Sequence, residues 1–406
     1  MPDLDNRLAR SRAALLDQID QPPLADVRRR ARRIRRRRAA AAGATVLALL
    51  GVIGISARPW QHDGTPDVTA TGSPAIAPVY EAGGIKIVGL LPEPVYVLGG
   101  QTAHVEFTDK DHGIAAAACT TDCPPLSRTE DGGLTWRPAA PSPVGGGLTD
   151  LIAFPGGRWM IIGDRTYWSS VDGTSWKMVT PPTATTRAMI GPGELLRYDP
   201  VAAAVTVVSP DRGPLGPLAN QPELTIHSAI PPPAGDGAWW IGGVAGGRPA
   251  VAVSRDSGRS WSTTSLPAVA GAVYTVTIGT LGTEMYAVAR GENGELRAVY
   301  HSTDGGGHFT VNDLTRATAE HKAPANVSGD PVPLLDGRLL LVEQGGAPSS
   351  WWVSGDGGAS FTPVVGLPAV GYITRTLAGY VAYRLFDDNW NAFSTDGSTW
   401  QKLQVH

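Results

Sequence analysis

A block of the form Ser/Thr-x-Asp-x-Gly-x-Ser/Thr-aromatic returns along this chain from residue 129 onward, and nothing else in the sequence restricts its fold as tightly. Four copies run the full eight residues: Thr129-Glu130-Asp131-Gly132-Gly133-Leu134-Thr135-Trp136, Ser254-Arg255-Asp256-Ser257-Gly258-Arg259-Ser260-Trp261, Ser302-Thr303-Asp304-Gly305-Gly306-Gly307-His308-Phe309, with His308 in the Ser/Thr place, and Ser354-Gly355-Asp356-Gly357-Gly358-Ala359-Ser360-Phe361. Two are one residue shorter, Ser170-Val171-Asp172-Gly173-Thr174-Ser175-Trp176 and Ser394-Thr395-Asp396-Gly397-Ser398-Thr399-Trp400. The Asp172 to Asp256 gap of 84 residues is two periods long, and near its middle Ser209-Pro210-Asp211-Arg212-Gly213-Pro214-Leu215 is a copy that has lost its aromatic end. Seven units follow, their aspartates 39 to 52 residues apart.

A recurring Asp/Gly/hydroxyl cluster is turn chemistry. The carboxylate and the Ser/Thr hydroxyl hydrogen-bond the turn backbone, Gly supplies positive φ, and the aromatic ring folds back onto the hairpin. A period of this size matches four-stranded propeller blades. The 50 Gly, 34 Pro and 12 Trp, with 17% charged residues, suit short strands and tight turns. Three strand-like runs precede each turn and one follows it: 148–154, 158–163, 166–169 and 177–180 in the second unit, 273–280, 284–289 and 298–301 in the fifth, 372–376, 380–385 and 391–393 in the seventh. The last run, 402–405, completes a blade, so a closed ring of seven blades is expected, without open sheet edges. The leucine at position 215 predicts a looser third blade. Two further strand-like runs within 85–98 complete a blade or cover one.

The octets resemble the Asp-box, or BNR, repeat family, whose propellers occur in sialidases, sortilin-type receptors, xyloglucanases and photosystem II assembly factors. The resemblance covers residues 85–406. It implies an all-β, seven-bladed propeller with the octets on the outer rim and ligands in the central funnel. Asp131, Asp172, Asp211, Asp256, Asp304, Asp356 and Asp396, with Trp136, Trp176, Trp261, Phe309, Phe361 and Trp400, are then structural.

Catalytic constellations are harder to name. A sialidase-like site needs an arginine triad, a Tyr/Glu nucleophile pair and an acid/base Asp; sixteen Arg follow residue 58, but the Arg-Ile-Pro signature of that family is absent. Tyr372, Tyr380, Tyr383 and Arg384 lie in strands of the last unit that can face the funnel. An inverting glycosidase needs two carboxylates across its substrate, and Asp164, Glu194, Asp199, Glu284, Glu343, Asp387 and Asp388 offer no distinguishing spacing. Cys119 and Cys123 are the only cysteines and are read as a disulfide. No cofactor or metal site is expected.

Charge divides the chain. Residues 1–58 carry 13 Arg against 5 Asp, the rest 21 basic against 32 acidic side chains. The acidic remainder excludes the basic footprint of nucleic-acid binding. Nine Arg within 28–38 precede the uncharged stretch 39–57, long enough to cross a bilayer as a helix. The positive-inside rule puts 1–38 in the cytoplasm and everything after the span outside the cell membrane. A cleaved signal peptide is the competing reading, with Ile55-Ser56-Ala57 as its cleavage site, against which stands the long leader. Residues 58–84, rich in Pro, Gly, Ser and Thr, read as a tether, and 85–406 as the propeller. The expected function is a non-catalytic module binding a protein or glycan on one propeller face. The alternatives are an exo-sialidase-like or other glycoside hydrolase, and an envelope signalling protein whose residues 1–38 meet a cytoplasmic partner.

Overall fold

The computed structural model describes residues 79–89, 102–117, 126–139, 141–144, 148–164, 166–315, 322–344, 350–383 and 391–403. The segment 1–38, the span 39–57, the tether as far as residue 78, Cys119, Cys123, Arg384, Asp387 and Asp388 lie outside the described residues. Among the described residues there is no helix, and so none long and apolar enough to cross a membrane.

A hairpin of β1 (Tyr80–Ala82) and β2 (Ile85–Val88) comes first, beginning inside the stretch read as tether. Seven sheets make the blades of a propeller. The first blade holds β3 (Thr102–Phe107), β4 (Gly113–Ala117), β5 (Ser127–Thr129) and β6 (Arg137–Pro138). The second holds β7 (Asp150–Phe154), β8 (Arg158–Ile162), β9 (Tyr167–Ser170) and β10 (Lys177–Val179). Then come β11 (Leu195–Asp199), β12 (Ala204–Ser209) and β13 (Gly213–Pro217) in the third, and β14 (Trp239–Ala245), β15 (Arg248–Ser254) and β16 (Ser262–Ser265) in the fourth. The fifth is β17 (Thr275–Leu281), β18 (Glu284–Arg290), β19 (Leu296–Ser302) and β20 (Thr310–Asp313). β21 (Val332–Pro333), β22 (Leu339–Val342), β23 (Trp351–Ser354) and β24 (Thr362–Pro363) form the sixth, and β25 (Tyr372–Arg375), β26 (Tyr380–Tyr383), β27 (Asn391–Ser394) and β28 (Thr399–Leu403) the seventh. Within each blade the strands follow chain order and pair antiparallel.

Blades three and four have three named strands each, not the four expected of every unit. The segments where their innermost strands were expected carry Pro181, Pro182 and Pro192 in one case and Pro222, Pro231, Pro232 and Pro233 in the other. Proline has no N–H for a ladder and is confined to edges and bulges. In the fourth blade a single bridge, Thr225 to Val244, stands in place of that strand.

The core lies between blades, because the middle strands bury both faces while outer strands such as β6, β10, β16 and β20 are largely exposed. In β18, Met285, Ala287 and Ala289 face the fourth blade while Tyr286 and Val288 face the sixth, the two-residue alternation of a pleated strand with apolar residues on either side. One apolar cluster joins blades one and two, another blades two, three and four, and others the pairs four/five, five/six and six/seven. The circle closes where Phe107 of β3 stacks on Phe393 of β27, their centroids 3.8 Å apart, and where the Tyr383 hydroxyl accepts from Val105 N at 2.9 Å and donates to Val105 O at 3.1 Å. The leading hairpin neither completes a blade nor starts one: β2 pairs parallel with β28, adding two strands outside a seventh blade that already has its own four. Ile85 and Ile87 are fully buried there against the six/seven cluster, and the outer edge of that blade is covered.

Candidate binding cavity in the central channel

Each octet lies at the turn into the last strand of its own blade, and its side chains close that turn. In the fourth blade the Ser254 hydroxyl donates to Asp256 Oδ1 at 2.9 Å and accepts from Gly258 N at 2.7 Å. Asp256 then accepts Ser260 N at 2.9 Å and the Ser260 hydroxyl at 2.6 Å. Gly258 takes a φ of +81°, which a side chain resists. Similar bonds recur around Asp131, Asp172, Asp304, Asp356 and Asp396, with His308 Nδ1 replacing the hydroxyl at Asp304. The Ser260 hydroxyl, then its amide, hold Asp256 down to about 2; the amides of Ser175 and His308 are the leading causes of the lowering at Asp172 and Asp304.

The aromatic ends differ in depth. Trp400, Phe361 and Trp136 are buried, and the indoles of Trp400 and Trp136 donate to the carbonyls of Gly397 and Gly133 at 2.8 and 3.1 Å. Trp176, Trp261 and Phe309 are half-buried. In the third blade Leu215 is 2% exposed and packs into the core as an aliphatic stand-in. Its turn is held more thinly, with Asp211 N and Arg212 N each 3.4 Å from Ser209, and the Asp211 carboxylate meets Arg158 of the second blade instead.

At the centre of the ring is a cavity of about 910 Å³. β3, β7 and β11 line one side, Tyr372, Thr374 and Arg375 with Tyr383 another, and residues 226–232 with Trp239 a third, with Pro200, Val208, Asp330 and Leu377 also in the lining. Its lining thus includes Pro231 and Pro232, where the fourth blade lacks a regular inner strand. Arg375 crosses the ring: from β25 its guanidinium donates to the Thr280 hydroxyl of β17 at 3.0 Å and to Pro233 O at 3.2 Å, while its amide donates to Asp330 at 2.9 Å.

Charge in the cavity is distributed unevenly. Asp150 on β7 pairs with Arg197 of β11 at 2.6 Å, and His104 lies 3.8 Å from its other oxygen. Burial lowers the His104 pKa against the opposing pull of Asp150. Glu106, on the same strand face as His104, has no hydrogen-bond or ion-pair partner among the described residues. Burial first, and the neighbouring Asp150 charge second, push its carboxyl well above the usual range. Burial also raises Asp330, although the Arg375 amide and the Arg290 and Arg375 charges oppose it.

Of the residues singled out in the sequence, Tyr372 and Tyr383 line this cavity and stack at 4.7 Å, whereas Tyr380 is buried between blades six and seven. Tyr383 spends its hydroxyl on Val105, and burial, with the Glu106 charge, raises its pKa, the reverse of what activates a phenolic nucleophile. The described lining holds Arg197 and Arg375. Of the non-octet acids named in the sequence, the described ones do not line the cavity and are mostly employed: Glu194 accepts Gly191 N at 2.7 Å and pairs with Arg212, Asp199 caps the turn at Val201 N, Glu284 meets His301 at 2.5 Å, Glu343 accepts Ala325 N and Trp352 Nε1, and Asp164 is exposed. Glu106, Asp150 and Asp330 were missed. The signal for Glu106 is in β3, where His104 and Glu106 alternate with Val105 and Phe107, placing a polar face on an inner strand.

No family model matches the chain, and no curated protein matches it. Among solved structures it is similar to YCF48 bound to D1 peptide, at 18% identity over 77% of this chain and 88% of that one, with a TM-score of 0.34. It is similar also to YCF48 from Cyanidioschyzon merolae, at 14% identity over 78% and 95% with a TM-score of 0.43. A third likeness is to a GH74 enzyme of Niastella koreensis, at 14% identity over 80% of this chain and 43% of the enzyme, with a TM-score of 0.31.

Proposed function

We propose that this chain is a non-catalytic binding module, held at the cell membrane by residues 39–57 with its propeller outside, which admits part of a protein or glycan ligand into the channel cavity. The observation that carries this reading is the cavity itself. It has the size of an ordinary ligand site, apolar walls from Leu195, Leu196, Ile226 and Ile230, and charged groups at its inner strands. Its one phenol beside a carboxylate is committed to the fold through Val105, which supports binding over covalent turnover.

Filling the cavity tests the reading. Ala229 is exposed and lines the cavity, so Ala229→Trp obstructs the site without replacing a buried side chain. Ligands captured from peptide and glycan libraries by the wild-type chain are expected to be lost by this variant at an unchanged unfolding midpoint. Equal capture by both proteins rules the cavity out, and turnover of a fluorogenic sialoside by the wild type replaces the reading with a hydrolase. Protease protection of residues 1–38 in sealed cells, with the propeller digestible from outside, is expected from the placement.

A further inference from the structure

Among the described residues, Glu106 is the one carboxylate of the cavity without a counter-group. Asp150 has Arg197, and Asp330 has the Arg375 amide with Arg290 and Arg375 near it. Glu106 lines the cavity half-buried, and the charge that acts on it is the like charge of Asp150. A carboxyl in that position is costly to ionise and makes no hydrogen bond that rewards its burial. Such an arrangement is explained when something else supplies the missing donor.

We propose that Glu106, with Asp150 beside it, receives the ammonium or guanidinium group of a lysine or arginine side chain carried by a peptide segment inserted into the channel. This rests on the cavity being the binding site, and it names what the site accepts. The two carboxylates offer more acceptor positions than Arg197 uses, and a cation set between them relieves their mutual repulsion. Tyr372, in the same lining, offers a ring for the aliphatic stem or the charge. The remaining wall, with Leu195, Leu196, Ile226 and Ile230 beside Pro200, Pro231 and Pro232, suits the apolar side chains and extended backbone of a peptide better than the hydroxyl-rich surface of a sugar. Charge acts at longer range too: the part of the chain after residue 58 carries 32 acidic against 21 basic side chains, which draws cationic ligands toward it.

The test uses the full-length chain and fluorescein-labelled, end-capped hexapeptides of Gly, Ala and Ser that differ only at one central residue: Lys, Arg, norleucine or Glu. Fluorescence anisotropy is expected to show saturable binding of the Lys and Arg peptides and at least tenfold weaker binding of the other two. Glu106→Gln keeps the shape and removes the charge, and it is expected to weaken the Lys peptide about 10- to 100-fold, the range of a charge-assisted hydrogen bond. Glu106→Asp is expected to keep part of the affinity. Unfolding of Glu106→Gln at or above the wild-type midpoint shows that any loss belongs to binding. Equal affinity for the Lys and norleucine peptides, or unchanged affinity in Glu106→Gln, overturns the proposal. If no peptide binds but a glycan does and Ala229→Trp abolishes that, the cationic ligand is refuted while the cavity reading stands. If Ala229→Trp retains all binding, the cavity reading itself has failed.

Discussion

Carboxylates occur in two settings in this ring, and the two behave oppositely. At the rim, Asp172 and Asp304 are exposed and Asp256 is half-buried, and hydrogen-bond donors from their own turns surround them and stabilise the charge. In the channel, Glu106 and Asp330 are half-buried among inner strands, and loss of solvent raises both. The rim acids lack no partner and so have no capacity left for a ligand. A channel acid without partners costs stability and retains its full capacity. The contrast separates residues that fasten the blades from residues that recognise something, although both are simply acids in the sequence.

The sharpest way to break this division is to damage the rim heavily and ask whether the channel notices. Trp400 is fully buried, meets Trp351 edge-on at 5.5 Å and donates to Gly397 O. Trp400→Ala is expected to cost about 3–5 kcal/mol in chemical denaturation. Ligand affinity in the folded fraction is expected to stay within twofold of wild type; a large loss would mean that rim and channel are coupled. The converse case is Arg375, which ties β25 to β17 and to Pro233 across the channel. Arg375→Met removes its bonds and a charge near Asp330, for an expected loss of about 1–3 kcal/mol, and here affinity is expected to fall as well. Smaller again is Ser254→Ala, which strips the acceptor from a buried Gly258 amide and is expected to lower stability by about 1–2 kcal/mol with no change in binding.

The rim was legible in the sequence because its chemistry is local. Ser254, Asp256, Gly258 and Ser260 bond within a single turn, so their spacing alone carries the information, and blade number follows by counting aspartates. The third unit was legible even in decay, since Asp211 keeps its place while Leu215 replaces the ring. The strand count of blades three and four departs from expectation because the plan of the second, fifth and seventh units was extended to every unit, whereas Pro181, Pro182 and Pro231 to Pro233 lack the N–H groups an inner strand needs. The channel was hardly legible. Glu106, Asp150, Arg197 and Arg375 come from four blades and meet only after the ring closes, and no spacing along the chain encodes a meeting of residues 106 and 375. What the sequence did hold was the alternation of His104 and Glu106 with Val105 and Phe107, a polar stripe on a strand that is otherwise core.

The subtlest difference between the two settings lies in how each responds to pH. A rim aspartate is ionised in the fold at pH values where the unfolded chain has already taken up a proton, so its contribution is present above the unfolded value near 4 and is lost as pH falls toward the folded value, about 2 at Asp256. Glu106 runs the other way. Its folded carboxyl keeps a proton that the unfolded chain releases above about pH 4.5, so its neutral form favours the fold at low pH and that advantage declines as pH rises toward the raised value. Denaturant midpoints measured from pH 2 to 9 are therefore expected to climb, pass a maximum and then drift down. Asp256→Asn is expected to flatten part of the climb and leave the drift, and Glu106→Gln to remove part of the drift and leave the climb. If both substitutions altered the same limb, rim and channel carboxylates would share one electrostatic environment and the division between fastening and recognition would be lost.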